Sequence, residues 1–270
     1  MEPLISVIIP AHNNETTIAT AIQSMLNQIY SNLEVIVVDD NSTDGTREVV
    51  KRFKSVKYLS LPFDDRHRFN RRGVNINAGW MARNFGIDHT RGEWITFQDA
   101  DDASMLNRIE IQLALAQEFQ SNHVCTNWQR FDETLLEKIL DVEPFLRSKD
   151  AILLPTNLTE LAQETKVIGF TLMDGFHRFV PFPIKHRMRF FFRQWDPYPF
   201  AGNSPLVKRE VFDQVRFRPS EKRVWPSDRG RGADRDFNFQ VAETFKNSLC
   251  VNIPLYLWRV NTQNPTIKSV

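Results

Sequence analysis

The sequence predicts an α/β domain with a mostly parallel central sheet and helices on both faces. Three observations carry this. Short β-rich runs at Ile5–Ile9, Val35–Val38, Val56–Leu61 and Trp94–Phe97 are separated by stretches with helical spacing. The run at Val35–Val38 is continuously apolar, as a strand buried on both faces requires. Polar clusters follow three of these strands at once, where such sheets bind ligands.

The elements follow in order. Ile5-Ser6-Val7-Ile8-Ile9 is a strand closed by Pro10. Residues 15–29 place Ile18, Ile22, Met25 and Ile29 on one helical face. After the second strand, Asn41-Ser42-Thr43-Asp44-Gly45 is turn and cap chemistry, and a helix runs on to about Phe53. Val56–Leu61 is the third strand. Asn77–His89 is a helix stopped by Arg91-Gly92, and Trp94–Phe97 is the fourth strand. Leu106, Ile109, Leu113 and Ala116 mark the helix after it. The second half is less regular. Strands are expected at 123–131, Asn203–Val207 and Leu249–Val260, and helices at Arg209–Val215 and Ala233–Phe245. Residues 216–232 form a long loop rich in Gly, Pro, Arg and Ser. Residues 132–200 give weak signals. No linker or repeat divides the chain, so residues 1–270 are expected to form one domain in two lobes.

The totals exclude several classes. Formal net charge is +1 in 270 residues, without the basic excess of a nucleic-acid binder. No apolar stretch approaches the ~20 residues of a membrane-spanning helix, and the N-terminus lacks a signal-peptide pattern. Cys125 and Cys250 form no CxxC pair and suit a reducing compartment. The six histidines show no HxxxH spacing, which argues against zinc. Neither GxGxxG nor GxxxxGK[ST] occurs, and the first loop, Pro10 to Glu15, has no glycine. A cytoplasmic enzyme, without a membrane span but able to touch a membrane surface, is the expectation.

The chemistry sits in WITFQDADDASMLNRIE, residues 94–110, where Asp99, Asp101 and Asp102 fall within four positions. Like charges this close repel, so a positive partner is expected. An N-cap role explains one such Asp but not three. Mg2+ or Mn2+, which takes hard oxygen ligands and arrives with a diphosphate, explains the cluster better. Asp39-Asp40 reads either as a turn before a helix or as a carboxylate for a nucleotide base or ribose. Asp234 and Asp236 open a helix behind the long loop. They read as caps favoured by the helix dipole, or as a general base brought in by loop closure.

Together these pieces resemble the inverting family 2 glycosyltransferases, of GT-A fold. The matching stretches are SVIIPAHNNETTIATAIQSMLNQIY, EVIVVDDNSTDGT and ARNFGIDHTRGEWITFQDADD, then GNSPLVKREVFDQV, GADRDFNFQV and WRVNTQN. The resemblance implies a sugar-nucleotide-binding half at 1–130 and an acceptor-binding half at 131–270. It implies donor contacts from Pro10, Ala11, His12, Asn13, Glu15, Asp40, Arg83, Asp99 and Ala100, with Asp40 at the base. Asp99 and Asp101 form its DxD motif, with Asp101 the foremost ligand of Mn2+ or Mg2+, and Asp234 is the catalytic base. The family often has Tyr at His12 and Glu at Ala233.

The implied reaction is metal-dependent, inverting transfer from a nucleoside-diphosphate sugar, a UDP-sugar foremost, to a saccharide or lipid-linked acceptor. A non-catalytic sugar-nucleotide-binding module is the alternative. A lipid-linked acceptor would place the chain peripherally at the inner face of a membrane. Residues 176–200, FHRFVPFPIKHRMRFFFRQWDPYPF, interleave basic and aromatic side chains and read either as core aromatics or as an acceptor-side strip.

Overall fold

The computed structural model describes residues 2–65, 68–71, 73, 75–147, 152–153, 204–223 and 232–259. The segment 176–200 lies outside them. Nine strands form one sheet, in the order β3-β2-β1-β4-β8-β6-β9-β5, with β7 pairing β9. The strands are β1 (Ile5–Ala11), β2 (Leu33–Asp39), β3 (Val56–Ser60), β4 (Trp94–Phe97), β5 (Ala103–Ser104), β6 (His123–Arg130), β7 (Ile152–Leu153), β8 (Leu206–Lys208) and β9 (Ser248–Trp258).

The block β3-β2-β1-β4 is parallel throughout. β8 runs antiparallel to both β4 and β6, and β9 is parallel to β6. This register has a topological consequence. Two reversals restore direction, so the carboxyl ends of β1, β2, β3, β4, β6 and β9 all point to one edge. That edge carries every acidic cluster noted above.

Helices cover both faces. The principal ones are α1 (Ile18–Leu26), α2 (Thr46–Val50), α3 (Trp80–Asp88), α4 (Arg108–Glu118), α5 (Glu143–Leu146) and α6 (Ala233–Phe245). Alternation along β1 and β2 sorts the core. Val7, Ile9, Val35 and Val37 pack with Ile18, Ile22 and Met25 of α1. Ile8, Ile36 and Val38 pack with Ala82 and Ile87 of α3 and Phe237 and Val241 of α6. α3 lies so close that a Cβ on Gly86 would come within 2.7 Å of Ile8. A third cluster joins Ile109 and Leu113 of α4 to Val124, Leu249 and Leu255.

Four phenylalanines tie α6 to the end of β4. Phe97, the last residue of β4, meets Phe217 edge-on at 5.0 Å. Phe217 stacks on Phe237 at 4.4 Å, and Phe212 stacks on the same ring at 5.5 Å. Such pairs contribute roughly 0.5–1.5 kcal/mol each beyond area burial. They fix the first turns of α6 against the end of β4.

Departures from the sequence reading are local. The helices are shorter than their periodic stretches: α1 begins at Ile18, and α3 at Trp80 behind the turn residues Ala78-Gly79. Residues 209–213 form a 3-10 helix, and another occupies 220–222 within the expected loop. β5 was hidden because two residues carry no periodicity.

One buried polar group gives a pH test. His123 is fully buried, with Nε2 at 2.9 Å from Asn238 Oδ1 and Nδ1 at 3.1 Å from Ser248 Oγ. Burial pushes the imidazole down to about 4, against the Asn238 hydrogen bond. Its folded-state value lies below the unfolded one. The neutral ring's contribution is therefore present above about pH 6.5 and is lost as pH falls toward 4. Wild type is expected to lose up to about 3 kcal/mol relative to His123→Gln across that window, read from urea midpoints. A constant difference between the two would overturn this.

Candidate active site

The acid turn is built by what surrounds it. β4 is buried along its whole length and ends at Phe97, so Gln98 to Asp102 emerge at the sheet edge. Gln98 is itself buried and its Oε1 accepts from Ser104 Oγ at 2.7 Å, which closes the turn onto β5. One oxygen each from Asp99, Asp101 and Asp102 lies within 4.8 Å of the others. Asp101 is exposed, Asp99 half-buried and Asp102 buried.

The charges are handled in three ways. Asp99 Oδ1 accepts from Arg83 Nη2 of α3 at 2.5 Å. Asp102 accepts from the Tyr256 hydroxyl at 2.9 Å and from the Arg259 backbone N–H at 2.7 Å. On Asp101, its own backbone N–H and then Arg259 and Arg83, acting from a distance, favour the charged form. Loss of water around its carboxyl, then the Asp99 charge, push it up to about 6. Burial first, then Asp101 and Asp99, raise Asp102 as well. A turn of hard carboxylates whose outermost member is open to solvent suits a divalent cation such as Mg2+ or Mn2+.

Arg83 is placed by its own helix start. Its Nη1 donates to Ala78 O at 2.6 Å, and its guanidinium lies 5.5 Å from the Phe217 ring centre. Gly79 sits at φ 66°, where a Cβ would meet Arg83 Nη1 at 2.8 Å. The Arg83 Nε is buried and has no partner among the described residues. The resemblance implies a donor contact from Arg83; in the fold its guanidinium meets Asp99.

The donor-side candidates gather on the same edge. Pro10 and Ala11 end β1, and Asp40 N–H donates to Ala11 O at 2.8 Å. His12 Nδ1 lies 2.6 Å from Asp40 O. Asp40 itself is buried and ion-paired with buried Arg68. Asn13 and Glu15 are engaged between loops. Asn13 Oδ1 accepts from Thr43 N–H at 2.8 Å, and Glu15 Oε2 from Gly45 N–H at 2.8 Å. Ala100, buried in the acid turn, packs against the α1 side of the core. Arg68 carried no signal in sequence, because it lies in an aperiodic stretch behind β3.

Asp234 opens α6 behind Gly232, which takes φ 87°. Withdrawal from water, then the Asp99 charge, raise its carboxyl, and Arg83 opposes them. The structure therefore brings Asp234 into the electrostatic field of the acid turn, though 135 residues separate it from Asp99. Asp236, two residues on, is different. Arg218 grips both of its oxygens, at 2.9 and 2.6 Å. Both of its oxygens are thus committed to a structural pair.

This edge, sheet and helix order match known proteins. The description Glycosyl transferase family 2 fits residues 6–215. The chain belongs to this family and carries its GT-A fold. The glycosyltransferase GlyG of Streptococcus pneumoniae is 34% identical over 134 residues, which is 50% of this chain and 42% of GlyG. The Escherichia coli enzyme WfgD, named a UDP-Glc:alpha-D-GlcNAc-diphosphoundecaprenol beta-1,3-glucosyltransferase, is 36% identical over 114 residues, 42% of this chain and 40% of that one. Among structures, Staphylococcus aureus TarS 1–349 in complex with UDP superposes with a TM-score of 0.57 at 16% identity, covering 95% of this chain and 60% of that one. The Pyrobaculum calidifontis mannosyltransferase PcManGT, in complex with GDP-Man and Mn2+, gives 0.57 at 17% identity, covering 98% and 59%. The chain thus spans well under two thirds of each of these relatives.

A cation held by Asp101 would compete with a proton there, so its affinity would depend on pH. Mn2+ binding, followed by the EPR signal of the free ion, is expected to be level above pH 7. It should weaken by about tenfold per unit once pH falls below the Asp101 value near 6. Asp101→Asn should remove most of the affinity at every pH. Unchanged binding in that variant would exclude Asp101 as a ligand.

Proposed function

We propose that this chain is the catalytic domain of a metal-dependent, inverting glycosyltransferase. It moves a sugar from a nucleoside-diphosphate donor, a UDP-sugar foremost, to a hydroxyl of a saccharide or lipid-linked acceptor. The pathway class is polysaccharide or glycoconjugate synthesis. The observation that carries this is the pairing of Asp234 with the acid turn. A water-poor carboxylate of raised proton affinity stands in the field of Asp99, at the edge where six strands end. Complexes of the structural neighbours with UDP and with GDP-Man and Mn2+ support a sugar-nucleotide donor and a divalent cation.

The chain's residues divide the work. In the first half, 1–130, Asp40 and Arg68 form a polar pair suited to the edge of a base, beside His12 and the end of β1. Arg83 holds Asp99 and keeps positive charge where the diphosphate departs. Asp101, with Asp99, would hold Mn2+ or Mg2+. That cation supplies Lewis-acid stabilisation of the leaving diphosphate when bound. From the second half, 131–270, Asp234 accepts the proton of the acceptor hydroxyl. Its raised proton affinity suits a general base. Attack from the face opposite the diphosphate inverts the anomeric configuration.

The acceptor of WfgD is named as a diphosphoundecaprenol lipid, which supports a lipid-linked acceptor for this chain too. Among the described residues no helix is long and apolar enough to cross a membrane. A lipid-linked substrate would bring the chain to the membrane surface from the cytoplasmic side.

Asp234→Asn separates catalysis from binding. With Mn2+ and a panel of UDP- and GDP-sugars, the variant is expected to keep donor-induced thermal stabilisation and lose transfer by at least ~10². Near-normal turnover would assign the base elsewhere. A wild type that binds the donor yet transfers and hydrolyses nothing would favour the non-catalytic sugar-nucleotide-binding module.

A further inference from the structure

The last strand reaches the acid turn from behind, and its contacts have a pattern. The Tyr256 oxygen lies 2.9 Å from Asp102 Oδ2, to which the hydroxyl donates, and 3.3 Å from the Asp99 N–H, from which it accepts. One hydroxyl therefore ties the main chain at Asp99 to the side chain at Asp102. Asp102 Oδ1 is taken by the Arg259 N–H at 2.7 Å. Both Asp102 oxygens thus serve protein donors, and the residue is buried.

Arg259 holds the remaining residue of the turn. Its Nε donates to Asp101 O at 2.9 Å. Its guanidinium carbon lies over Phe131, 3.7 Å from the ring centre, and the Phe131 N–H donates to Trp258 O at 2.8 Å. The register supports the same arrangement: β5 pairs antiparallel with β9, Ala103 opposite Leu257 and Ser104 opposite Tyr256. All three positions of the turn are therefore set by residues 256 to 259. None of these contacts involves the Asp101 carboxylate, which stays exposed.

We infer that Tyr256 and Arg259 are positioning residues for the cation site, and that Asp102 is the strut they grip rather than a ligand. This rests on the cation-binding reading of Asp99 and Asp101 proposed above. The physical reason is geometric. A divalent cation needs its carboxylates at a fixed separation, and a five-residue turn of repelling acids does not hold one unaided. Outer partners of this kind typically contribute 10–100-fold in metal affinity. Tyr256 touches neither sugar nor nucleotide in this role. It acts through the turn.

The test uses Mn2+ as probe on the whole chain, with UDP present and absent, and EPR of the free ion as readout. Tyr256→Phe is expected to raise the Mn2+ dissociation constant at least tenfold. Arg259→Ala, which leaves every core side chain in place, should raise it as well and covers the case of a poorly folded Tyr256→Phe. Tyr30→Phe, which removes another buried hydroxyl far from the turn, should change nothing. In transfer assays, activity of the Tyr256→Phe variant should recover toward the wild-type maximum as Mn2+ rises, whereas a purely structural defect would lower the maximum at all Mn2+ levels. If wild type binds Mn2+ and both variants match it within twofold, the positioning role is wrong. If wild type itself binds no Mn2+ with UDP, it is the underlying cation reading that fails.

Discussion

The aromatic stack of Phe97, Phe217 and Phe237 is the constraint on which the site's geometry depends. Phe97 ends β4 one residue before the acid turn begins, and Phe237 lies one helical turn after Asp234. Ring contacts are short-ranged, so they transmit position with little play. Asp234 and Asp99 come from segments that share no strand pairing. Their separation is set by rings packed beneath them. The same stack carries Arg83, whose guanidinium lies over Phe217 while reaching Asp99. A single apolar cluster thus places an acid from α6, a cation from α3 and the end of β4.

Electrostatics then distinguishes carboxylates that look alike in sequence. Six acids of this edge differ in their surroundings. Asp40 and Asp236 are each paired with an arginine, Asp99 shares Arg83, and Asp102 is held by a hydroxyl and an amide. Asp101 alone is exposed among the three of the turn. Asp234 is raised by the withdrawal of water and by Asp99. Roles follow from these surroundings rather than from spacing. An Asp gripped on both oxygens is a structural element; one raised and unheld by a close cation is available to a proton.

The parallel half was legible because buried strands and amphipathic helices leave strong periodic signals, as at Val35–Val38 and Ile18–Met25. The acid turn was legible because three like charges in four positions have no ordinary structural explanation. What escaped has a common cause. Arg68, Tyr256 and Arg259 act on residues far away in the chain, and spacing in sequence carries no trace of such pairings. Tyr256 sat in an apolar run, PLYLW, where a tyrosine reads as core. β5 has two residues, too few for any period. Asn13 and Glu15, expected on the donor side by resemblance, have side chains that join the loop after β1 to the turn before α2. Their link to a donor would run through the shape of those loops.

The contact between β9 and the acid turn also bears on synthesis. A ribosome delivers the chain from its amino end, and β1 to β4 with α1 to α3 are complete once residue 97 has emerged. Their parallel pairings need nothing from the second half. The turn at 98–102 must then wait for residues 256–259, which arrive more than 150 residues later. At translation rates of roughly 5–20 residues per second, that interval lasts on the order of ten seconds or more. Throughout it the nascent protein has a formed parallel sheet whose acids are unbraced. A chain stalled or cleaved in that window would keep much of the fold and lack the finished turn.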